Sequence, residues 1–292
     1  MASAQIAWPT AVAPAKASST AKARSSRRRH VTTALPRQPA PTASSMTDVS
    51  QPGTPRGYGR LRAVDVAVIG GTGEEGFGLT LRLGRAGHHV IVGSRSAEKG
   101  SGAAQKARDL LGGDARVDGT TNEDAASAAE VVAVTVPFAG QADIYRAIKP
   151  AVKPGTIVLD ATSPLASAVG GRAWQVLRPW HGSAAEQAEA ILAQGVRMVA
   201  GFHTIAGDAL QDLDQALESD VLVCGDDADA KAIVGSLVDD IPNLRWVDCG
   251  LLSMARIAET MTALLISVNR TYKVKDSGFR IVGRDSWGAP QA

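Results

Sequence analysis

The apolar positions of this 292-residue chain come in short, almost uninterrupted runs separated by segments with helical spacing. Such runs are typical of strands that are buried on both faces of a parallel sheet. The pattern predicts strands at 64–69, 89–93, 131–136, 156–160, 196–202, 221–224 and 244–248. It predicts helices at about 77–87, 141–148, 226–240 and 254–271. This order indicates an α/β protein with a Rossmann-type doubly wound parallel sheet and a smaller C-terminal α/β region that ends in a helix.

A glycine-rich loop directly follows the first predicted strand and precedes a predicted helix. Gly71, Gly73 and Gly76 satisfy the pattern G-x-G-x-x-G, which in this context is a dinucleotide-binding fingerprint. The first glycine permits a tight turn, the second lets the backbone approach a pyrophosphate, and the third lets the helix pack on the strand. The free N–H groups of the helix N-terminus then face the phosphates. The predicted cofactor-binding residues of the loop are Gly71, Thr72, Gly73, Glu74, Glu75 and Gly76.

The end of the second predicted strand indicates which dinucleotide is bound. A protein specific for NAD usually places an acid there to accept a hydrogen bond from the ribose 2′-hydroxyl. This chain has Ser94 and Arg95 instead, followed one helical turn later by Lys99. A hydroxyl and two cations suit a 2′-phosphate, because charge-assisted hydrogen bonds to phosphate are strong. The sequence therefore predicts NADP as the cofactor, although a solvated turn with ordinary charges is the alternative.

Other candidate residues follow later strands, where ligands of an open α/β sheet bind. Thr135 and Pro137 end one strand, and Ser163 follows the next, so we expect them to border the ribose and nicotinamide. Of the five histidines, His203 is the one at a predicted strand end that faces the cleft. It is the candidate catalytic residue, and a buried structural histidine is the alternative. No histidine, cysteine and carboxylate spacing indicates a metal site, so none is predicted.

Charge and composition exclude other classes of function. Residues 1–45 contain seven basic residues and no acid, which leaves 24 basic against 29 acidic residues elsewhere. An acidic remainder argues against a nucleic-acid partner, which needs a basic surface. No apolar run reaches the ~20 residues of a membrane span, and no secretory signal precedes residue 60, so we expect a cytoplasmic protein. Cys224 and Cys249 are far apart in sequence and are expected to be small buried residues without a neighbouring thiol.

These landmarks together resemble the NADPH-dependent F420 reductase family, also called F420H2:NADP oxidoreductases. The resemblance covers roughly residues 64–282 and includes Phe202-His203-Thr204-Ile205 and Val223-Cys224-Gly225-Asp226-Asp227. It implies an enzyme, usually a homodimer, that moves a hydride between the nicotinamide of NADP(H) and the deazaflavin coenzyme F420. By position, His203 and Ile205 would border the deazaflavin. The chain departs from the family at Ala206-Gly207, where members commonly have a proline.

Composition and the resemblance together suggest how the chain is divided. Residues 1–60 are interpreted as a disordered extension, 61–164 as the NADP-binding Rossmann domain, and 165–292 as a deazaflavin-binding and dimerisation region. Residues 1–45 are either a transit peptide or an extension upstream of a true start at Met46, which the prokaryotic family favours. The residues that meet the acidic tail of F420 are left open among Arg172, Arg270, Lys273 and Arg280.

Two alternative functions are compatible with the same predicted NADP-binding half of the protein. One is an NADPH-dependent imine or ketone reductase of specialised metabolism, with a different pocket around Thr162 and His203. The other is a non-catalytic sensor that binds NADPH. Because Rossmann scaffolds serve all three purposes, the fold does not separate them.

Overall fold

The computed structural model describes residues 63–288, and the predictions for residues 1–60 lie outside these residues. One eight-stranded sheet crosses the molecule, with the strand order β3-β2-β1-β4-β5-β6-β7-β8. The strands are β1 Asp65–Ile69, β2 His89–Ser94, β3 Val117–Thr121, β4 Val131–Val134, β5 Ile157–Asp160, β6 Arg197–Ala200, β7 Ser219–Gly225 and β8 Leu244–Asp248. β1 to β6 are parallel, whereas β7 pairs antiparallel with β6 and carries the parallel strand β8. The predicted α/β Rossmann-type fold is confirmed, and the sheet is mostly rather than entirely parallel.

Helices cover both faces of this sheet. They are α1 Glu74–Ala86, α2 Ala97–Leu111, α3 Asn122–Ala128, α4 Phe138–Ile148, α5 Ala184–Ile191, α6 Gly207–Gln211, α7 Ala228–Asp239, α8 Ala255–Ala258 and α9 Met261–Tyr272. Short 3-10 turns occupy Ala166–Val169, Leu252–Met254 and Arg284–Ser286.

The alternation of side chains along β1 shows how the two layers of helices are held. Val66 and Val68 belong to one hydrophobic cluster, which also contains residues of α1, α2 and α7. Ala67 and Ile69 belong to the other, with residues of α3, α4, α5 and α8. Successive side chains of a strand point to opposite faces, so a wholly apolar strand supplies two cores at once.

The long helix predicted at about 254–271 is divided in the structure. α8 ends at Ala258, α9 begins at Met261, and the intervening Glu259 turns its carboxylate to the N-terminus of α5. No described helix is long and apolar enough to cross a membrane.

The C-terminal segment is bound to β7 through a buried acid. Asp220, which is fully buried, accepts hydrogen bonds from Arg245 Nε at 2.7 Å and from the backbone N–H of Ile281 at 2.5 Å. Asp220 also donates its own backbone N–H to the carbonyl of Phe279 at 2.7 Å. The strands before and after residue 164 belong to one sheet, and β7 and β8 hold the segment 279–281.

Candidate functional site

The predicted site residues follow the carboxyl ends of five strands that are neighbours in the sheet. In sheet order, Ser94 ends β2, the glycine loop follows β1, Thr135 follows β4, Ser163 follows β5, and His203 follows β6. Because these strands are parallel, all five ends lie at the same edge, and at ~4.8 Å per strand they span about 19 Å. The structure therefore brings both predicted halves of the site to one edge of the sheet.

The glycine loop is packed so closely that side chains would not fit. A Cβ on Gly76 would lie 2.5 Å from Thr135 Oγ1 and 2.7 Å from the carbonyl oxygen of Gly70, and one on Gly71 would lie 2.8 Å from the carbonyl oxygen of Val68. Gly70 has a φ of 78°, which an L residue rarely adopts. The loop is a cradle that only glycine can form at these positions.

The N-terminus of α1 opens into this cradle. Gly73 is the N-cap residue, and no side chain of the described residues caps the helix. The first N–H groups of an α-helix have no partner within the helix and favour an anion. Thr72, Gly73 and Glu74 are exposed around it.

The turn after β2 carries the three residues predicted for the 2′-phosphate. Ser94 is buried, whereas Arg95 and Lys99 are exposed. Ser96 caps α2 by accepting a hydrogen bond from the backbone N–H of Lys99 at 3.3 Å, which fixes the turn. Between residues 63 and 288, neither Arg95 nor Lys99 pairs with a carboxylate, so both cations are available to a ligand.

Thr135 and Pro137 shape the next segment of the edge. Thr135 is buried and donates its hydroxyl to the carbonyl of Ile69 at 3.1 Å, which ties the end of β4 to the end of β1. Pro137 is exposed and is the N-cap residue of α4. The chain therefore turns at Pro137 beside the glycine loop.

His203 lies in a strained loop and has buried polar atoms without partners. The preceding residue, Phe202, has a φ of 66°, which is unusual for a bulky side chain and marks local strain. Neither ring nitrogen of His203 forms a hydrogen bond with a described residue. Burial lowers the pKa of His203 to about 4, opposed by the nearby Ala161 backbone, so the ring is neutral at pH 7.

Two hydroxyl groups hold the backbone of His203. Thr262 Oγ1 of α9 donates to the carbonyl oxygen of His203 at 2.7 Å, and Ser163 Oγ lies 2.7 Å from Thr262 Oγ1. Since the Thr262 hydroxyl has one proton, Ser163 must be the donor in the second contact. Thr262 was missed from the sequence because it is on a helix that is remote in sequence from the strand ends.

The segment after His203 packs on the cofactor helix. Ile205 is buried in the core with 8% of its surface exposed, and it also borders a small cleft with Thr204. A Cβ on Gly207 would lie 2.9 Å from the backbone nitrogen of Glu75. The buried Arg82 of α1 donates to the carbonyls of Ala209 and Leu210, both at 2.9 Å. The His203 segment and α1 are therefore held together.

Three carboxyl groups near the carboxyl ends of these strands have pKa values above their ordinary range. Burial raises the pKa of Asp160, although Tyr145 at 2.6 Å and Gln141 at 2.8 Å donate hydrogen bonds to it. Burial, with help from Asp160, raises the pKa of the partly buried Glu75 to about 8. Burial also raises the pKa of Glu259 to about 8, opposed by the N–H groups of Ala184 and Ala185.

From the sequence, Glu75 was predicted only as a member of the loop, and no role was predicted for Asp160 or Glu259. The signal for Asp160 was an acid at the end of an apolar strand, whereas nothing local marks Glu259.

The thiols of Cys224, at the end of β7, and Cys249, just after β8, are neighbours, because Val223 pairs with Asp248 in the sheet. The expectation that neither has a neighbouring thiol is therefore wrong, because strand pairing joins residues that are distant in sequence. No group of histidine, cysteine and acidic side chains suited to a metal ion occurs in the described part of the chain.

Comparison with known proteins identifies the relatives of the chain. The family model described as "NADP oxidoreductase coenzyme F420-dependent" matches residues 65–164. The F420-dependent NADP reductase of Methanothermobacter thermautotrophicus is 42% identical over 224 residues, which cover 76% of this chain and 96% of the relative. That of Methanocaldococcus jannaschii is 39% identical over 219 residues, covering 74% and 97%.

A solved structure supports the fold. It is described as an F420-dependent NADP reductase from Arthrobacter sp. FB24 and superposes with a TM-score of 0.64 at 24% identity, covering 75% of this chain and all of that one. With its fingerprint, its strand order and relatives that match over nearly their whole length, the chain belongs to the F420-dependent NADP reductase family.

Proposed function

We propose that this protein transfers a hydride between the nicotinamide of NADP(H) and the deazaflavin coenzyme F420. The observation that carries the proposal is the row of five strand ends, which places the glycine cradle and the His203 loop along one edge of the sheet. Family membership supports both coenzymes, since the named relatives are F420-dependent NADP reductases.

The nucleotide half fits NADP(H) by its steric and charge properties. Gly71 and Gly76 let the loop pack tightly on its neighbours, and a Cβ on Gly73 would have only the carbonyl oxygen of Gly70 within 4 Å. A pyrophosphate could therefore approach the backbone at the uncapped N-terminus of α1, with Thr72 and Glu74 beside it. Ser94, Arg95 and Lys99 would hold the 2′-phosphate, which distinguishes NADP from NAD. Thr135 and Pro137 would border the nicotinamide half.

The His203 loop fits a heteroaromatic partner with polar edges. A neutral imidazole offers one N–H donor and one acceptor nitrogen, and both are without partners among the described residues. Thr262, which accepts from Ser163, donates to the carbonyl of His203, so the backbone of His203 is held in place before a ligand arrives. The two coenzymes carry the redox chemistry themselves when bound, and the protein supplies their orientation.

Residues 165–292 are proposed to form the deazaflavin-binding and dimerisation region, and the protein is proposed to act as a cytoplasmic homodimer. Support for a dimer comes from an apolar surface on and around α8 and α9, where Leu251, Ile257 and Leu264 are more than half exposed. Exposed apolar side chains that cluster are a common feature of interfaces. Analytical ultracentrifugation measures the mass directly.

The direct test mixes the purified protein with NADPH and oxidised F420 and follows the deazaflavin absorption band. Bleaching that requires both the protein and NADPH supports the proposal. NADPH binding without bleaching would favour a reductase of another substrate or an NADPH sensor.

The role of His203 is tested with the variant His203→Ala. We expect turnover to fall and the KM for F420 to rise while the affinity for NADPH stays close to that of the parent, because His203 lies away from the nucleotide cradle. The matched control is His181→Ala, which removes an exposed histidine. Turnover of His203→Ala equal to the parent would contradict this role.

A further inference from the structure

The loop after β5 folds back on itself and places an aromatic side chain next to two cations. It begins at Ser163, and the carbonyl of Pro164 accepts a hydrogen bond from the N–H of Leu177 at 2.7 Å. The N–H of Ala166 donates to the carbonyl of Gln175 at 2.8 Å, and Leu165 bridges Val176. These contacts close residues 164–177 into an ordered hairpin-like loop.

Trp174 of this loop contacts arginines from two different elements. The Cζ atom of Arg172, in the same loop, lies 5.3 Å from the centroid of the Trp174 ring. The Cζ atom of Arg270, from the last turns of α9, lies 4.1 Å from it. Both distances are in the range of cation–π interactions. We call Arg172, Trp174 and Arg270 the arginine–tryptophan cluster.

The charges of this cluster are not balanced by acids. Across residues 63–288, neither Arg172 nor Arg270 forms an ion pair with a carboxylate. Both side chains are exposed. Because both guanidinium groups contact one ring, they are within about 10 Å of each other, which is close to one Debye length at 0.1 M salt. Two like charges held this close attract an anion strongly, and planar guanidinium groups suit phosphate and carboxylate oxygens.

Two segments of the chain connect the cluster to the residues that hold the His203 loop: the loop after β5 and helix α9. The loop starts at Ser163, which contacts Thr262, and Thr262 contacts the backbone of His203. Along α9, Arg270 is about 12 Å beyond Thr262 at about 1.5 Å per residue. Both parts of the cluster are therefore anchored to the residues that hold His203.

We propose that the arginine–tryptophan cluster binds the anionic side chain of F420, beginning with the phosphodiester that follows the ribityl group. This inference rests on the proposed function, and it assigns a site for the part of the co-substrate that does not react. The ordered loop keeps the two cations in place before binding, which reduces the entropic cost of recognition. Arg172 and Arg270 are thus specificity residues that favour the complete coenzyme over its core without the phosphate and glutamyl groups.

The test compares F420 with 8-hydroxy-5-deazariboflavin, its core without the phosphate and glutamyl groups, as ligands in calorimetry. The full chain is used as the parent and as the double variant Arg172→Ala/Arg270→Ala. We expect the variant to bind F420 about tenfold more weakly and the core with unchanged affinity. The control Arg116→Ala removes an exposed arginine that directly precedes the outermost strand β3, at the amino end of that strand. This variant should bind both ligands like the parent.

A second measurement uses only the parent protein and so does not depend on how the variant folds. Raising the salt concentration should weaken F420 binding more steeply than binding of the core, because the proposed contacts are screened. The affinity of the double variant for NADP+ checks that the nucleotide half is intact.

Each outcome has a separate meaning. Equal F420 affinities of the parent and the double variant, or equal salt dependence for F420 and its core, would overturn the proposed subsite. An equal loss for F420 and its core in the variant would also overturn it, since the effect would not concern the anionic groups. If the parent binds neither deazaflavin, the proposed function itself fails.

Discussion

A methyl group added at Gly76 would meet the loop that precedes it. The Cβ of Gly76→Ala would lie 2.5 Å from Thr135 Oγ1, 2.7 Å from the carbonyl oxygen of Gly70 and 2.8 Å from Gly71 Cα. Favourable contacts between carbon atoms are at about 3.5–4.0 Å, so the helix and the loop must separate by roughly 1 Å. Two of the three obstacles are backbone atoms of the loop, which cannot rotate away as a side chain could.

The cost of this separation can be estimated from two effects. Overpacking a dense interior costs about 1–3 kcal/mol of unfolding free energy. Moving the N-terminus of α1 away from the cradle also misplaces the N–H groups that would contact the pyrophosphate. We expect the affinity for NADPH to fall at least tenfold, which corresponds to about 1.4 kcal/mol.

Urea unfolding measures the first effect, and calorimetric titration with NADPH measures the second. The matched control is Gly102→Ala in α2, where the new Cβ has no atom within 4 Å. That variant should gain about 0.5–1 kcal/mol of stability, because alanine is the better helix former, and should bind NADPH like the parent. If Gly76→Ala were as stable as the parent and bound NADPH equally well, the steric account of the cradle would be wrong.

Three further predictions concern charges at or near the site. Arg95→Ala should weaken NADPH binding by about 1.5–3 kcal/mol and leave NADH binding unchanged, and equal losses in a fluorescence titration would contradict the 2′-phosphate assignment. Because the pKa of Glu75 is raised to about 8, its side chain is neutral below that pH and charged above it. NADPH affinity should therefore fall as the pH rises through about 8, and Glu75→Gln should remove that fall; the same pH profile in the variant would refute this. Glu259→Ala should cost about 2–4 kcal/mol of unfolding free energy, since the buried N–H groups of Ala184 and Ala185 lose their acceptor. The exposed Glu189→Ala should cost little, and similar losses for both variants would remove the argument.

Features that depend on local rules were readable from the sequence. The apolar runs predicted seven strands, and all seven are found, because a strand buried on both faces has almost no alternative to apolar side chains. The helix predicted from about residue 226 is also found, and Asp227 caps it by accepting a hydrogen bond from the N–H of Ala230 at 2.8 Å. The prediction missed β3, whose residues Asp118, Gly119, Thr120 and Thr121 carry no apolar pattern. It also missed the helices α2, α3, α5 and α6, of which α2 has many small and polar residues and the other three are short. β3 is an edge strand, where burial makes fewer demands on composition.

Contacts between distant segments were decided by the tertiary structure alone. The sequence gives no sign that β7 and β8 run opposite to β1–β6, nor that Thr262 contacts the backbone of His203. Nor does the sequence indicate that the thiols of Cys224 and Cys249 are neighbours or that Glu259 caps α5. A motif such as the glycine loop can be predicted from the sequence because its steric requirement acts over a few neighbouring residues. The pKa of His203 or Glu75 is set by how much water the surrounding chain excludes, and that is fixed only when remote elements pack together.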